Sequence, residues 1–179
     1  MTCSNDALRR EADGSVSCWG ADASDKLRRV FAVADVTQGV IHAVIDIAAP
    51  PERVFAALTS PEQLASWWGS ADTYRTHDWQ LDVRPGGAWS CFATNVTGGP
   101  ATRVEGVYTV VDPPRVLEHT WKPAWEQGHE TVVRYELEPI STGTRVKVVH
   151  RGFGDRVDAC RGHADGWNRV LGWLRGHFG

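Results

Sequence analysis

Near the carboxy-terminal end, apolar residues recur in steps of three and four: Val157, Cys160, Ala164, Trp167, Leu171, Leu174 and Phe178. That spacing puts all seven on one face and predicts a long helix over 157–178. Gly162, Gly166, Gly172 and Gly176 interrupt it, each costing roughly 0.8–1 kcal/mol relative to Ala, so the helix needs a surface to pack on. The same glycines leave room for backbone or a ligand to come close. Earlier in the chain the pattern is different. Val40 to Ile47 reads Val-Ile-His-Ala-Val-Ile-Asp-Ile, a β-branched and partly alternating first strand. Pro50 and Pro51 open a short helix with Val54, Phe55 and Leu58 on one face, since proline needs no amide donor there. Ser60, Pro61 and Gln63 start a second one, carrying Leu64, Trp67 and Trp68 and stopping at Gly69.

A strand meander follows. His77, Trp79, Leu81 and Val83 fall on one face, Asp78, Gln80 and Asp82 on the other, and Pro85-Gly86-Gly87 turns the chain into Ala88 to Thr94. Further strands are predicted from Arg103 to Val111, Val116 to Trp121, Thr131 to Glu138 and Thr144 to Arg151. In the last hairpin Val133, Tyr135 and Leu137 share a face, as do Val146, Val148 and His150, while the polar faces are opposite in charge and suited to pairing. The total is six or seven antiparallel strands. Residues 1–38 read as an amino-terminal extension. Met1 to Ser24 show no sustained period, and Leu27, Val30, Phe31 and Ala34 predict a short helix over 27–35. That amphipathic segment is the candidate surface for docking a second copy, which would make a homodimer. The domain proper is expected over 39–179.

Composition narrows the function. The length of 179 residues suits one domain, and 42% hydrophobic with 23% charged residues is ordinary globular usage. A net charge of -3 with no basic block excludes nucleic acid as the main partner. No apolar run approaches the ~18 residues that span a bilayer, and the polar start lacks a secretory stretch, so no membrane partner and a cytoplasmic location are expected. Cys3, Cys18, Cys91 and Cys160 form no CxxC pair, and the seven His form no HxxxH pair. Neither metal nor cofactor is expected. Only three of the 19 basic residues are Lys, an Arg bias of the kind GC-rich bacterial genomes produce. Nine Trp are many for this length, and Trp suits either an aromatic core or the wall of an apolar pocket.

The order strand, two short helices, curved antiparallel meander and long carboxy-terminal helix is an α+β, helix-grip arrangement, in which the sheet wraps the helix and a cavity lies between them. The segments Ile45 to Thr59, Trp67-Trp68-Gly69, Asp82 to Trp89, Gly106-Val107-Tyr108, Asp112 to Leu117, Thr120-Trp121 and His150 to Phe153, in that order, resemble the START-like superfamily. The branch they resemble is that of the carboxy-terminal domain of heat-shock-chaperone ATPase activators. The resemblance covers about residues 40–178 and implies this same fold. It also implies a choice of functions: binding of lipids, sterols, hormones or polyketides, aromatase or cyclase activity, or antibiotic resistance by sequestering an enediyne or being sacrificed to it. The chaperone activators carry a further amino-terminal domain that this chain does not show, so the resemblance stops short of that role.

The leading expectation is therefore a cavity for a small, largely apolar, aromatic or polyketide-like molecule. Its candidate lining is Trp67, Trp68, Trp79, Trp89, Tyr108, His119, Trp121, Tyr135, His150, Trp167 and Leu171. These are aromatic, histidine and helix-seam positions that border the cavity if their strand faces are the concave ones, with Gly166 leaving room beside Trp167. Histidine pairs with tryptophan on two strand faces, His119 with Trp121 and His77 with Trp79, an arrangement suited to a pocket with few polar contacts. His150 is either a satisfied core histidine or a proton carrier, and a cyclase would draw on His150, Tyr135, Tyr108 or Glu105. No catalytic motif is visible: there is no GxSxG elbow, and Gly86-Gly87 precedes no helix. Cys91 and Cys160 read as small core residues.

Overall fold

The computed structural model describes residues 9–10, 16–17 and 31–179. Strands β1 (Arg9–Arg10) and β2 (Val16–Ser17) form a two-residue antiparallel ladder; the rest of the expected extension, Leu27 to Val30 included, lies outside the described residues. From Phe31 the chain runs β3 (Phe31–Asp35), β4 (Val40–Ile47), α1 (Pro51–Thr59), α2 (Pro61–Trp67), β5 (Tyr74–Leu81), β6 (Ala88–Asn95), β7 (Thr102–Asp112), β8 (Val116–Pro123), a 3-10 turn (Ala124–Glu126), β9 (Thr131–Ile140), β10 (Gly143–Arg151) and α3 (Val157–His177). The last eight strands make one antiparallel sheet in the order β3-β4-β10-β9-β8-β7-β6-β5. The expected α+β helix-grip fold is present, with eight strands where the pattern suggested six or seven.

The eighth strand corrects the helix expected over 27–35. Residues 31–35 are extended and pair along β4, Ala32 with Ala43 and Ala34 with Ile41. Ala32, Ala34 and Val36 lean on the core while Val33 is exposed, so a period of two prevailed over the helical spacing that began at Leu27. The β3 edge is tied to α3 by the Ala32 amide, which donates to Asn168 Oδ1 at 3.1 Å. The sheet thus begins before residue 39.

The alternation elsewhere sorts the faces. Ile41, Ala43, Ile45 and Ile47 of β4, Val133, Tyr135 and Leu137 of β9, and Val146, Val148 and His150 of β10 are buried on the concave side. Against them α3 sets Cys160, Ala164, Trp167, Val170, Leu171 and Leu174. On the convex side Arg145 grips Asp46 through two hydrogen bonds of 2.8 and 2.9 Å, and Lys147 reaches Glu138 at 2.6 Å. Helix α2 starts as its sequence implies: Ser60 Oγ accepts from the Gln63 amide at 3.3 Å, and Pro61 occupies the first turn.

One face assignment changes. Thr76, not His77, points inward, because the β5–β6 register shifts between His77 and Gln80 and Asp78 adopts φ +53°. This bulge returns Trp79 to the inner side, while His77 stays outside, stacked on Phe92 and bonded to Thr94 Oγ1 at 2.9 Å. The expected pairing of His77 with Trp79 on one face is therefore broken.

At Gly106 two strands and an indole meet: a Cβ there would lie 2.0 Å from the Thr120 carbonyl oxygen and 2.5 Å from Trp89 Nε1. Gly106→Ala must displace the hydrogen bond that Trp89 Nε1 donates to that same oxygen. We expect it to cost about 2–3 kcal/mol in urea unfolding, the upper part of the range for overpacking. A variant as stable as the wild type would show that the strands can move apart freely.

Candidate functional site

Six of the nine tryptophans meet between sheet and helices. Trp68, at the end of α2, is their hub: its ring lies 5.2 Å from Trp67, 5.7 Å from Trp79, 5.9 Å from Trp121 and 6.3 Å from Trp167, centroid to centroid. Trp89 joins through Trp79 and Trp121 at 6.1 and 5.6 Å. Four of these indoles have assigned partners: Trp67 donates to the Ala57 carbonyl, Trp79 to Thr76 Oγ1, Trp89 to the Thr120 carbonyl and Trp167 to His150 Nδ1. Rings held at both face and edge form a rigid wall.

That wall divides two spaces. On one side is a cavity of about 520 Å³ between α3 and strands β5 to β8, with its floor at Trp68, Trp79, Trp121, His150 and Trp167. Its volume is that of a small-molecule site, ~300–1,000 Å³. Exposed Asn95, Pro100, Trp125, Asp158 and Arg169 stand around its rim. On the helix side Gly162 and Gly166 border it, and a Cβ at either would meet no atom within 4 Å. The other space is a closed void of about 20 Å³ among Leu58, Leu64, Trp89, Tyr108, Leu117, His119 and Tyr135, shared with the far sides of Trp68, Trp79 and Trp121.

Of the eleven candidate lining residues, the cavity therefore collects Trp68, Trp79, Trp121, His150 and Trp167. Trp89, Tyr108, His119 and Tyr135 belong to the closed layer. Trp67 is buried against α1 through its bond to Ala57, and Leu171, 1% exposed, is packed core. The sequence reading missed Tyr74, Thr76, Cys91, Asn95, Thr102, Val104 and His163, all of which border the cavity. Their signal was the inward parity of β5 to β7, which the bulge at Asp78 conceals, and the helical step from Gly162 and His163 to Gly166 and Trp167.

His150 is fully committed. Its Nδ1 accepts from the Trp167 indole at 3.1 Å, which fixes the neutral tautomer with the proton on Nε2, and that proton goes to Thr131 Oγ1 at 2.7 Å. Thr131 in turn donates to the Trp121 carbonyl at 3.3 Å. Burial, helped by the neighbouring His163 and His119, holds His150 well below its usual range. His119 is depressed to about 4, chiefly by burial, with Nδ1 on the Thr120 carbonyl. His163 is depressed by burial as well; its Nδ1 donates to the Ala159 carbonyl, leaving Nε2 a buried lone pair with no partner. The Trp121 indole N–H is likewise buried and unpartnered. Burial raises the Cys91 thiol to about 12, so it stays protonated and weakly nucleophilic. At the rim Glu126 is paired with Arg156. Among the described residues no group of three or more His, Cys, Asp or Glu could hold a metal ion, and no helix is long and apolar enough to cross a membrane.

Comparison with known proteins places this architecture. A family model described as activator of Hsp90 ATPase homolog 1-like protein matches residues 48–179. Among solved structures, a homolog of that activator from Silicibacter pomeroyi superposes with a TM-score of 0.66 at 28% identity, covering 76% of this chain and 95% of that one. A protein from Arthrobacter aurescens gives a TM-score of 0.73 at 22% identity, over 83% and 90%. An uncharacterized protein from Schizosaccharomyces pombe is 26% identical over 153 residues, 85% of this chain. The chain spans only 38% of that relative's length.

The three depressed histidines predict an acid-sensitive fold. Each stays neutral in the folded chain at pH values where the unfolded chain takes up a proton, so its contribution is complete above about pH 6.5 and is lost as pH falls from there. Urea unfolding should show stability declining from about pH 6.5 toward 4, with His119 alone accounting for roughly 3 kcal/mol. A flat profile across that window would contradict the burial of these rings. Trp167→Phe, which keeps the ring but removes the donor to His150, should cost about 1–3 kcal/mol; no loss would mean the buried bond is dispensable.

Proposed function

The chain belongs to the activator of Hsp90 ATPase homolog 1-like family, and within that START-like fold we propose that it binds a small, largely apolar, aromatic molecule in the cavity beneath α3. The observation that carries this reading is the construction of the cavity. Four stacked or tilted tryptophans floor it, and two helical glycines stand back from it where any larger residue would fill the space. Burying a flat ring system against such walls yields ~25 cal/mol per Å² of apolar surface, with little loss of side-chain freedom in the protein. A polyketide-like molecule is the chemical class that suits these walls.

A cyclase reading asks for more than a binding site. It needs a group able to give or take a proton beside the ligand. Tyr108 and Tyr135 sit in the closed layer, Glu105 is on the opposite strand face paired with Arg103 at 2.9 Å, and both nitrogens of His150 are bonded. Sequestration of an enediyne-type antibiotic would use the same cavity and is a narrower form of the binding reading.

Filling the cavity from the helix tests the proposal. Gly162→Leu and Gly166→Leu place side chains where nothing stands, and Leu is a better helix former than Gly by up to ~1 kcal/mol. Both variants should keep or raise the melting temperature. Pyrene should quench the tryptophan fluorescence of the wild type and fail to do so in the filled variants. Equal quenching in all three would place the ligand elsewhere.

A further inference from the structure

The cavity is not electrically uniform along its length. Glu126 and Asp158 border it near the start of α3, and Arg169 borders it eleven residues on, a separation of ~16 Å along the helix axis. The acids are engaged: Glu126 is paired with Arg156, and Asp158 lies 3.9 Å from Arg161. Arg169 is the one Lys or Arg of the lining and makes no ion pair within 4 Å among the described residues. Most of the chain's other described arginines pair with a carboxylate, as Arg145 does with Asp46 and Arg134 with Glu118 and Glu136.

Two further donors lie in the same part of the lining. Tyr74 is close enough for the Arg169 charge to act on its phenol, and its ring is steadied edge-on against Trp173 of α3 at 5.6 Å. Asn95 is the direct cross-strand partner of Tyr74. Its Oδ1 accepts from the Thr97 amide and hydroxyl at 3.1 and 2.9 Å, which leaves the NH2 group to donate. A guanidinium, a phenol hydroxyl and an amide NH2 are the complement of a carboxylate, and the Trp121 N–H adds an unpartnered donor deeper in the wall.

Building on the binding reading above, we propose that the ligand is an aromatic carboxylic acid, its rings on the Trp68, Trp79, Trp121 and Trp167 walls and its carboxylate at the Arg169, Tyr74 and Asn95 end. The carboxylate would supply the anionic partner that Arg169 lacks, and the Glu126 and Asp158 end of the lining offers it no cation, which sets its orientation.

A matched pair of probes tests this, 1-pyrenebutyric acid and the neutral 1-pyrenebutanol, titrated by fluorescence into wild type, Arg169→Met, Tyr74→Phe and the filled variant Gly166→Leu. The wild type should bind the acid at least about 10-fold more tightly than the alcohol, since a charge-assisted bond is worth about 10–100-fold. Arg169→Met should remove that preference while leaving the alcohol unchanged, and Tyr74→Phe should weaken the acid alone by a few-fold, on the order of one hydrogen bond. Added salt should shrink the wild-type preference. Equal affinity of acid and alcohol in the wild type, or equal loss of both in Arg169→Met, overturns the carboxylate assignment while the cavity reading stands. If neither probe binds, or both bind Gly166→Leu as well as wild type, the cavity reading fails and this inference with it. Arg169 is exposed at the rim, so its substitution leaves the fold available for the comparison, with circular dichroism and melting temperature as the check.

Discussion

The hydrogen bond from the Trp167 indole to His150 holds the long helix to the sheet, and the shape of the interior follows from where it falls. Helix α3 has little of its own to rely on: four glycines interrupt it, and no side chain caps its start. His150 can accept from Trp167 only because its proton is committed to Thr131, which is committed in turn to the Trp121 carbonyl. Residues from α3, β10, β9 and β8 are thereby locked in one chain of donors and acceptors with a single consistent direction. Buried polar groups that can be satisfied in only one arrangement specify that arrangement. One face of α3, Cys160, Ala164, Leu171 and Leu174, packs against the sheet. The neighbouring face, with Gly162 and Gly166, leaves a gap, and Trp167 stands where the packed face meets the hollow one.

A hollow of this size is unfavourable by itself, since its walls lack partner atoms. What keeps it open is the stiffness of its floor. Each of Trp79 and Trp167 is fixed by a hydrogen bond at its nitrogen as well as by ring contacts, and Trp68 lies almost parallel to Trp121, 14° between planes. Smaller flexible side chains at these positions could collapse into the space; indoles tied at both ends cannot. The tryptophan excess in the composition is thus explained by one cluster serving two roles, as core toward Leu117 and Tyr135 and as wall toward the helix.

How much of this could be read from the sequence depended on whether a feature was local. The helix seam, the proline starts of α1 and α2, the Ser60 cap and the alternation of β4, β9 and β10 are all stated by neighbouring residues, and they were legible. The eighth strand was not, because Leu27, Val30, Phe31 and Ala34 mimic a helical step and only pairing with β4 decides otherwise. Nor was the inner face of β5, since a single left-handed residue at Asp78 resets its parity. The cavity lining suffered from a different limit. Facing inward in a curved sheet means facing either the closed layer or the cavity, and the two are separated by depth along the strand, which alternation does not encode. Hence His119 and Tyr135 face inward yet lie behind the wall, while Tyr74 and Thr76 stand in front of it.

The same distinction governs the chemistry. An inward histidine in a sequence invites a catalytic role, but burial alone removes the property that role requires, because a desolvated imidazole resists protonation and a fully bonded one has no proton to exchange. His150 meets both conditions and His119 the first, and the Cys91 thiol is likewise held in its neutral form. The interior has been made electrically quiet at its centre. The convex face is quiet for another reason, as its charges neutralise each other in pairs such as Arg145 with Asp46 and Arg151 with Glu118. Around the cavity three groups remain unbalanced: an indole N–H, an imidazole lone pair and the guanidinium of Arg169. Unsatisfied groups cost free energy in the empty protein, and a ligand that satisfies them recovers it. Their presence around the space beneath α3 is therefore what an apolar site needs in order to orient its ligand as well as hold it.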